Sequence, residues 1–514
     1  MSTTLIRLVC PACSKRLKLL PSDRHEGYIV CPRCQHSFPY VQPAKPTDSQ
    51  RHAPDELPRA RPLLVLATAL LTAGLLIAGA TLGLTWILAP AHLPSAESTQ
   101  EVPLPDPTPE STPGAATPEL PRRPPEPPWL PLDKQKQVQA AIARGKNFVI
   151  AQQRSDGTFA DEFDLGMTAL PGLTLLECGV PARDAVIQKA AQRVRTQARN
   201  FTGRAETYEL SLALLFLDRL GERSDRPLIR SLALRLVAGQ QRDGGWTYHC
   251  PPLSESDSPR LLDFLTRTRE PTVQLAGLEP KADKPRANPE NAEIRRAYDD
   301  LPARVREVPS VRAALSETPA RLQPGSSDNS NTQFAILALW AARRHQVPLE
   351  RTLRLVAQRF RQSQASDGSW GYHMQGGHES PAMIGVGLLG LAVGHGLTQI
   401  EAGTVPRRDP DIDRALVALS RHLGETSGPL NLYFLWTVER VGVLYKLRQI
   451  NGKEWYAWGA DELLTRQLGK GSWRQGVYYG STELIDTCFA LLFLSRANLT
   501  SDLSDTLELL IRTR

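Results

Sequence analysis

Cysteine is scarce in this chain, with seven in 514 residues. Past position 34 only Cys178, Cys250 and Cys488 remain. So odd and dispersed a trio excludes a disulfide framework. Cys178 and Cys488 fall in apolar helical contexts, where a small buried thiol is expected. A dominant charge is missing too: 61 Lys and Arg stand against 54 Asp and Glu, for a net charge of +7. The two signs are interleaved rather than gathered on one face, which argues against a nucleic-acid partner. Charge is absent altogether from Leu63 to Ala89.

What is present divides the chain into five parts. Residues 1–40 carry Cys10-Pro-Ala-Cys13 and Cys31-Pro-Arg-Cys34, a spacing suited to a four-thiolate tetrahedral zinc site. Four thiolates fill the coordination sphere, so the expected metal is structural zinc, and it would supply most of the folding free energy of so short a module. The two segments resemble the small zinc ribbons at the N-termini of many bacterial membrane proteins. Residues 41–62 read as a cytoplasmic linker. Residues 63–89 read as a single transmembrane helix, long enough to span a bilayer and too long for a cleaved signal peptide. Arg51, Arg59 and Arg61 precede it, and the first basic residues after it are Arg122 and Arg123. That asymmetry places the N-terminus in the cytoplasm and the rest outside an inner (cytoplasmic) membrane, leaving the four cysteines in the reducing compartment. Residues 90–131, with Pro103-Leu-Pro-Asp-Pro-Thr-Pro109 and Pro124-Pro-Glu-Pro-Pro128, read as an extended extracytoplasmic stalk.

From residue 132 to 514 one sentence recurs. Gln153-Arg-Ser-Asp-Gly-Thr-Phe159, Gln240-Gln-Arg-Asp-Gly-Gly-Trp246, Gln364-Ala-Ser-Asp-Gly-Ser-Trp370 and the more degenerate Gln467-Leu-Gly-Lys-Gly-Ser-Trp473 each close an amphipathic helix and precede a more apolar one. Recurrence of one supersecondary unit marks a repeat architecture. Amphipathic segments are expected at about 135–152, 184–199, 226–241, 349–364, 411–423 and 455–467. Apolar partners are expected at about 164–178, 206–220, 331–344, 382–396, 430–446 and 482–497, with Gly179, Gly221 and Gly396 as helix stops. Six outer–inner pairs make a closed double ring, an all-α toroid. An insertion at about 251–328 is too long for a normal connection. It either covers the mouth formed by the inner-helix N-termini or runs as a disordered excursion, with short helices near 293–298 and 308–315.

These repeats resemble those of the terpenoid cyclase and protein prenyltransferase superfamily. The resemblance implies the α/α toroid fold, with the Gln and Trp repeats tying outer helices together. It also implies working residues at the mouth, where candidate acids or bases are Glu209, Asp328, Glu483 and Asp486. Candidate cavity or ligand residues are Tyr208, Asn331, Gln333, His378, Tyr433, Trp436 and Glu439. Helix capping accounts for many polar residues at helix starts, but less readily for Glu209, Gln333 and Asp486 one turn in. Glu439 and Arg440 are costly to bury unpaired; they either face the cavity as a functional pair or tie neighbouring helices.

The family's activities are not expected to carry over. In Asp328-Asn-Ser-Asn-Thr332 the position of the cyclase proton donor holds Ser330, and a hydroxyl is far too weak an acid to make a carbocation. Asp486-Thr487-Cys488 is similar to half of the prenyltransferase zinc site, but no His follows it. Glu177-Cys178-Gly179-Val180 lacks the Glu-Gln of a thioester toroid. The expected function is a binding toroid engaging a protein partner or hydrophobic ligand, without cyclase activity. The alternative is a divergent enzyme using Glu209, Glu483 and Asp486 as acid or base, since carboxylates sharing a cavity push one pKa up. A lumen plugged by Phe334, Trp340 and Trp436 favours the first; a deep cavity lined by those acids favours the second.

Overall fold

In the computed structural model the described residues are four short strands within residues 6–39, then residues 128–269, 289–316, 321–402, 409–424 and 428–511. The chain divides into two compact units, Met1–Ala116 and Thr117–Arg514. In the first, β1 (Ile6–Val9) pairs antiparallel with β2 (Arg16–Leu19), and β3 (Tyr28–Val30) with β4 (Ser37–Pro39). Each Cys-Pro-x-Cys falls in the connection of one hairpin, but the four cysteines lie outside the described residues, as do residues 63–89. Among the described residues no helix is long and apolar enough to cross a membrane.

The second unit is helical. Its chain order begins with α1 (Leu132–Ala151), α2 (Asp164–Glu177), α3 (Ala185–Ala198), α4 (Glu206–Leu220) and α5 (Arg226–Ala238). Within the insertion follow α6 (Asp257–Arg267), α7 (Pro289–Asp299), α8 (Ala303–Arg306) and α9 (Pro309–Arg312). Next come α10 (Asn329–Ala342) and α11 (Glu350–Ser363), then a small hairpin of β5 (Gly371–His373) and β6 (Gly376–Glu379). The chain ends with α12 (Pro381–Ala402), α13 (Pro410–Ser420), α14 (Leu432–Leu444), α15 (Trp455–Arg466), α16 (Glu483–Ser495) and α17 (Ser501–Ile511).

Helices α2, α4, α10, α12, α14 and α16 pack side by side in that order, and α16 returns to α2. The inner wall is therefore a closed ring, and α1, α3, α5, α11, α13 and α15 clothe it. The apolar alternation explains the division: α4 and α10 are buried on nearly every side, as an all-round apolar helix requires.

The recurring turns are the rivets of this ring. Each glutamine amide donates twice, once to its own turn and once to a carbonyl of the next outer helix. Gln153 reaches Val186, Gln240 reaches Thr352, Gln364 reaches Asp411 and Gln467 reaches Ala141, at 2.8–3.0 Å. The last of these joins α15 to α1 and closes the circle. The glycines of the turns have φ between +79° and +93°, a region that favours glycine. Each also sits against a backbone carbonyl of the same neighbour, so a Cβ on Gly471 would lie 2.6 Å from the Arg144 oxygen. Trp246, Trp370 and Trp473 each donate from Nε1 to a carbonyl ten residues back.

Three features differ from expectation. The described part of the insertion packs on the outer helices α5 and α11 rather than over the mouth, with Arg269 paired to Glu350 and Arg351 donating to the Thr268 carbonyl. Gly396 does not end its helix; α12 runs on to Ala402, and Gly396 is where Leu503 and Trp340 approach closely. The approaching element is α17, which packs on α12 and α14 as a floor, its Asp502 accepting from Trp340 Nε1 at 3.0 Å.

Candidate functional site

All six outer-to-inner turns lie at one end, so the inner-helix N-termini form a mouth and α17 lies at the opposite end. The four candidate carboxylates are at the mouth, and each is engaged by the fold. Glu209 accepts the backbone N–H of Gly166 at 3.1 Å. Helix α2 starts at Phe163 in the left-handed region without a side-chain cap, so Glu209 caps its neighbour from across the groove. Gly166 permits this, because a Cβ there would lie 2.9 Å from Glu209 Cγ. Burial pushes the Glu209 carboxyl up to about 7, with Asp164 and Glu206 adding repulsion, against the Gly166 bond.

Asp328 caps α10, accepting from Asn331 N at 2.7 Å and from Asn331 Nδ2 at 2.8 Å. Burial raises it above the usual carboxylate range, opposed by those two bonds. Glu483 is partly exposed; burial works against its charge, but Ser472 and Lys470 hold it lower than usual. Asp486 is fully buried and accepts from Gln475 N, Gly476 N and Tyr478 OH, at 2.6, 3.2 and 2.6 Å. It shapes the 473–478 loop. Sequence position identified these acids but not their partners: Glu209 bonds another helix start, and the other three bond within their own turns.

Deeper in the ring the candidate cavity residues do meet. Ser330 lies between two hydroxyls, Tyr208 of α4 at 2.8 Å and Tyr433 of α14 at 2.6 Å. Gln333 donates to Tyr433 OH and accepts from Arg440 Nη2. A polar chain thus crosses the lumen from α4 through α10 to α14. Around it aromatic rings pack on one another: Tyr208 on Phe334 at 5.0 Å, Phe334 on Trp436 at 5.4 Å, and Trp436 stacked on Phe489 at 4.7 Å. Phe334, Trp436 and Phe489 are 4%, 2% and 4% exposed, so water does not reach between them. Trp340 belongs to a different layer, under Arg343 and against α17. A cavity of about 480 Å³ lies elsewhere, lined by Leu423, Lys453, Trp455 and Trp458 on the outer side.

Several remaining residues are now placed. Asn331 bonds Asp328 and does not join the lumenal chain. The side chain of His378 lies outside the described residues. Cys488 is buried, which raises its thiol to about 12, and among the described residues no cluster of His, Cys, Asp and Glu could hold a metal. Sequence reasoning passed over Phe489 as a lumen residue, although it continues the helical face begun by Asp486. Glu439 is fully buried with both oxygens unpartnered, and burial raises its carboxyl well above the usual range.

No family model and no curated protein matches the chain. Among solved structures it is similar to the type II terpene cyclase MstE from Scytonema. A variant of that enzyme in complex with its product, merosterolic acid A, superposes with a TM-score of 0.38 and 15% identity, over 73% of this chain and all of that one. A second variant, without ligand, gives 0.28 and 12%, over 73% and 99%. Similarity this low carries no information about activity.

Proposed function

We propose that this chain is a membrane-anchored protein whose extracytoplasmic toroid binds a ligand or protein partner and does not catalyse cyclisation. The observation that carries this reading is the fate of the acids. Ser330 stands in the proton donor's place and is bonded to two tyrosines, while Glu209, Asp328, Glu483 and Asp486 are bonded to helix starts, turns or a lysine. Beside Ser330 the lumen holds the packed rings of Phe334, Trp436 and Phe489. Carbocation chemistry needs a strong acid aimed at a substrate-sized space.

The mouth supplies what a binding surface uses. Tyr248, Val477 and Tyr479 are exposed there, Tyr479 almost completely, and amphipathic tyrosine is favoured where one partner meets another. Anchoring through residues 63–89 rests on their length, apolarity and flanking charge. Zinc held by Cys10, Cys13, Cys31 and Cys34 rests on spacing, with each pair in the connection of a hairpin; the metal would supply folding free energy to the N-terminal module.

Incubation of the detergent-purified full chain with squalene, followed by gas chromatography–mass spectrometry, should return the polyene unchanged. Native mass spectrometry of the same preparation should find a retained molecule or partner. A polycyclic product would overturn the reading. The second reading, acid–base catalysis at the mouth, is favoured by one observation, the Glu209 carboxyl poised at about 7; its bond to α2 counts against it.

A further inference from the structure

We propose that the interior of the toroid contains a binding site for the carboxylate group of a small molecule, with Arg440 as its cationic partner and Trp436 Nε1 as a second donor. This rests on the binding reading above and specifies the chemistry of the ligand.

Arg440 is 7% exposed and lies seven residues beyond Tyr433 on α14, about 10 Å below the mouth at 1.5 Å per residue. Its guanidinium has two contacts: Nη2 donates to the neutral amide oxygen of Gln333, and the group lies 3.9 Å from the ring centroid of Trp436. Nε and Nη1 are buried without a hydrogen-bond partner, and so is Trp436 Nε1. Among the described residues no carboxylate makes an ion pair with it. The buried pairs elsewhere show what a satisfied guanidinium looks like here: Arg359 meets Asp243 at 3.1 Å and Arg235 meets Glu206 at 3.0 Å.

Glu439, the adjacent residue, does not take that part. Its two oxygens have no hydrogen-bond partner, and burial favours its neutral form over the attraction of Arg440, with Glu177 opposing ionisation and Arg496 favouring it. Burial lowers Arg440 only to about 10, so it stays charged at neutral pH. A buried cation without a counter-ion is strongly unfavourable, and unpartnered buried donors call for an explanation of their own. A carboxylate placed against one edge of the Arg440 fork, and accepting from Trp436 Nε1 as well, gives the charge a counter-ion and two of the three orphan nitrogens a partner.

Charge counting selects the group. A single guanidinium without an ion-pair partner matches a monoanion, whereas a doubly charged phosphate would leave a negative charge buried. The planar fork of a guanidinium also fits a carboxylate with two parallel bonds. Phe334, Phe489 and Tyr433 would surround the remainder of the molecule with rings, so its body is apolar. The three nitrogens are closed off from water in this form, so entry of a ligand requires the Trp436–Phe489 stack to part.

Thermal unfolding and isothermal titration of the full chain in detergent, with hexanoate and benzoate against hexanamide and benzamide at constant ionic strength, test this. The acids should bind and raise Tm by a few degrees at saturation; the amides should not. Arg440→Met should abolish the response while raising Tm without ligand, because it removes an uncompensated charge. Equal responses to acids and amides would overturn the carboxylate assignment but leave ligand binding standing. So would silence to all four probes in a preparation that still retains a neutral molecule or a protein partner. Loss of Tm in Arg440→Met, with no acid response in the unsubstituted chain, would show the guanidinium already compensated and overturn it as well.

Discussion

Glu209 shows how one side chain can satisfy a structural need in a neighbouring helix and carry a titration with it. Its folded pKa lies above the usual value for a glutamate, so the folded state holds its proton more tightly than the unfolded chain does. The contribution is therefore fully present below the unfolded value, about 4.3, and is lost as pH rises through about 7. Glu209→Gln keeps an oxygen for the Gly166 N–H and removes the charge. In urea titrations it should match the parent near pH 4 and exceed it by on the order of 3 kcal/mol above pH 8. At Ser330 the expectation is smaller. Ser330→Ala breaks two hydroxyl contacts and should cost about 1–2 kcal/mol, read as a lowered urea midpoint with an unchanged slope.

At the scale of elements, the rivets carry a sharper test. Gln467→Ala removes the amide that joins α15 to α1 and leaves the Ala141 and Gly471 carbonyls short of a donor. It should cost about 1–3 kcal/mol, with faster hydrogen exchange along α1 and α15 and little change in α10. Gly471→Ala should cost about 2 kcal/mol or more, since it meets both a left-handed backbone and the Arg144 carbonyl. The paired helices are legible in the sequence, because the inner segments are apolar all round and the outer ones on a stripe. All six of each fall within a few residues of their expected bounds, α12 apart. The floor helix α17 was not legible: it lies outside the repeat and carries no turn signature. Gly396 misled for a related reason, because a glycine admitting a neighbour reads in sequence like a glycine ending a helix. At the site, positions were readable and partners were not. Glu209 and Gly166 are 43 residues apart, and no local pattern links them.

For the whole molecule, the floor matters as much as the ring. Leu503 and Leu507 are fully buried, and Asp502 takes the Trp340 N–H. Ending the chain after Ala497 should lower stability by on the order of 4 kcal/mol and bare the lower ends of α12 and α14, detectable as new protease cleavage there. The way into the ring has a consequence of its own. Trp129 is held by Trp455 and Tyr456 at 5.8 and 5.9 Å, with Arg448 and Arg496 over its ring, and Arg448 also grips the Pro128 carbonyl. The chain therefore fastens to the last hairpin before it begins the first helix. A pull arriving through residue 128 is delivered to α15 and α16, across the seam from α1. Traction at residue 128 is then borne by the last hairpin before it reaches the opening helix.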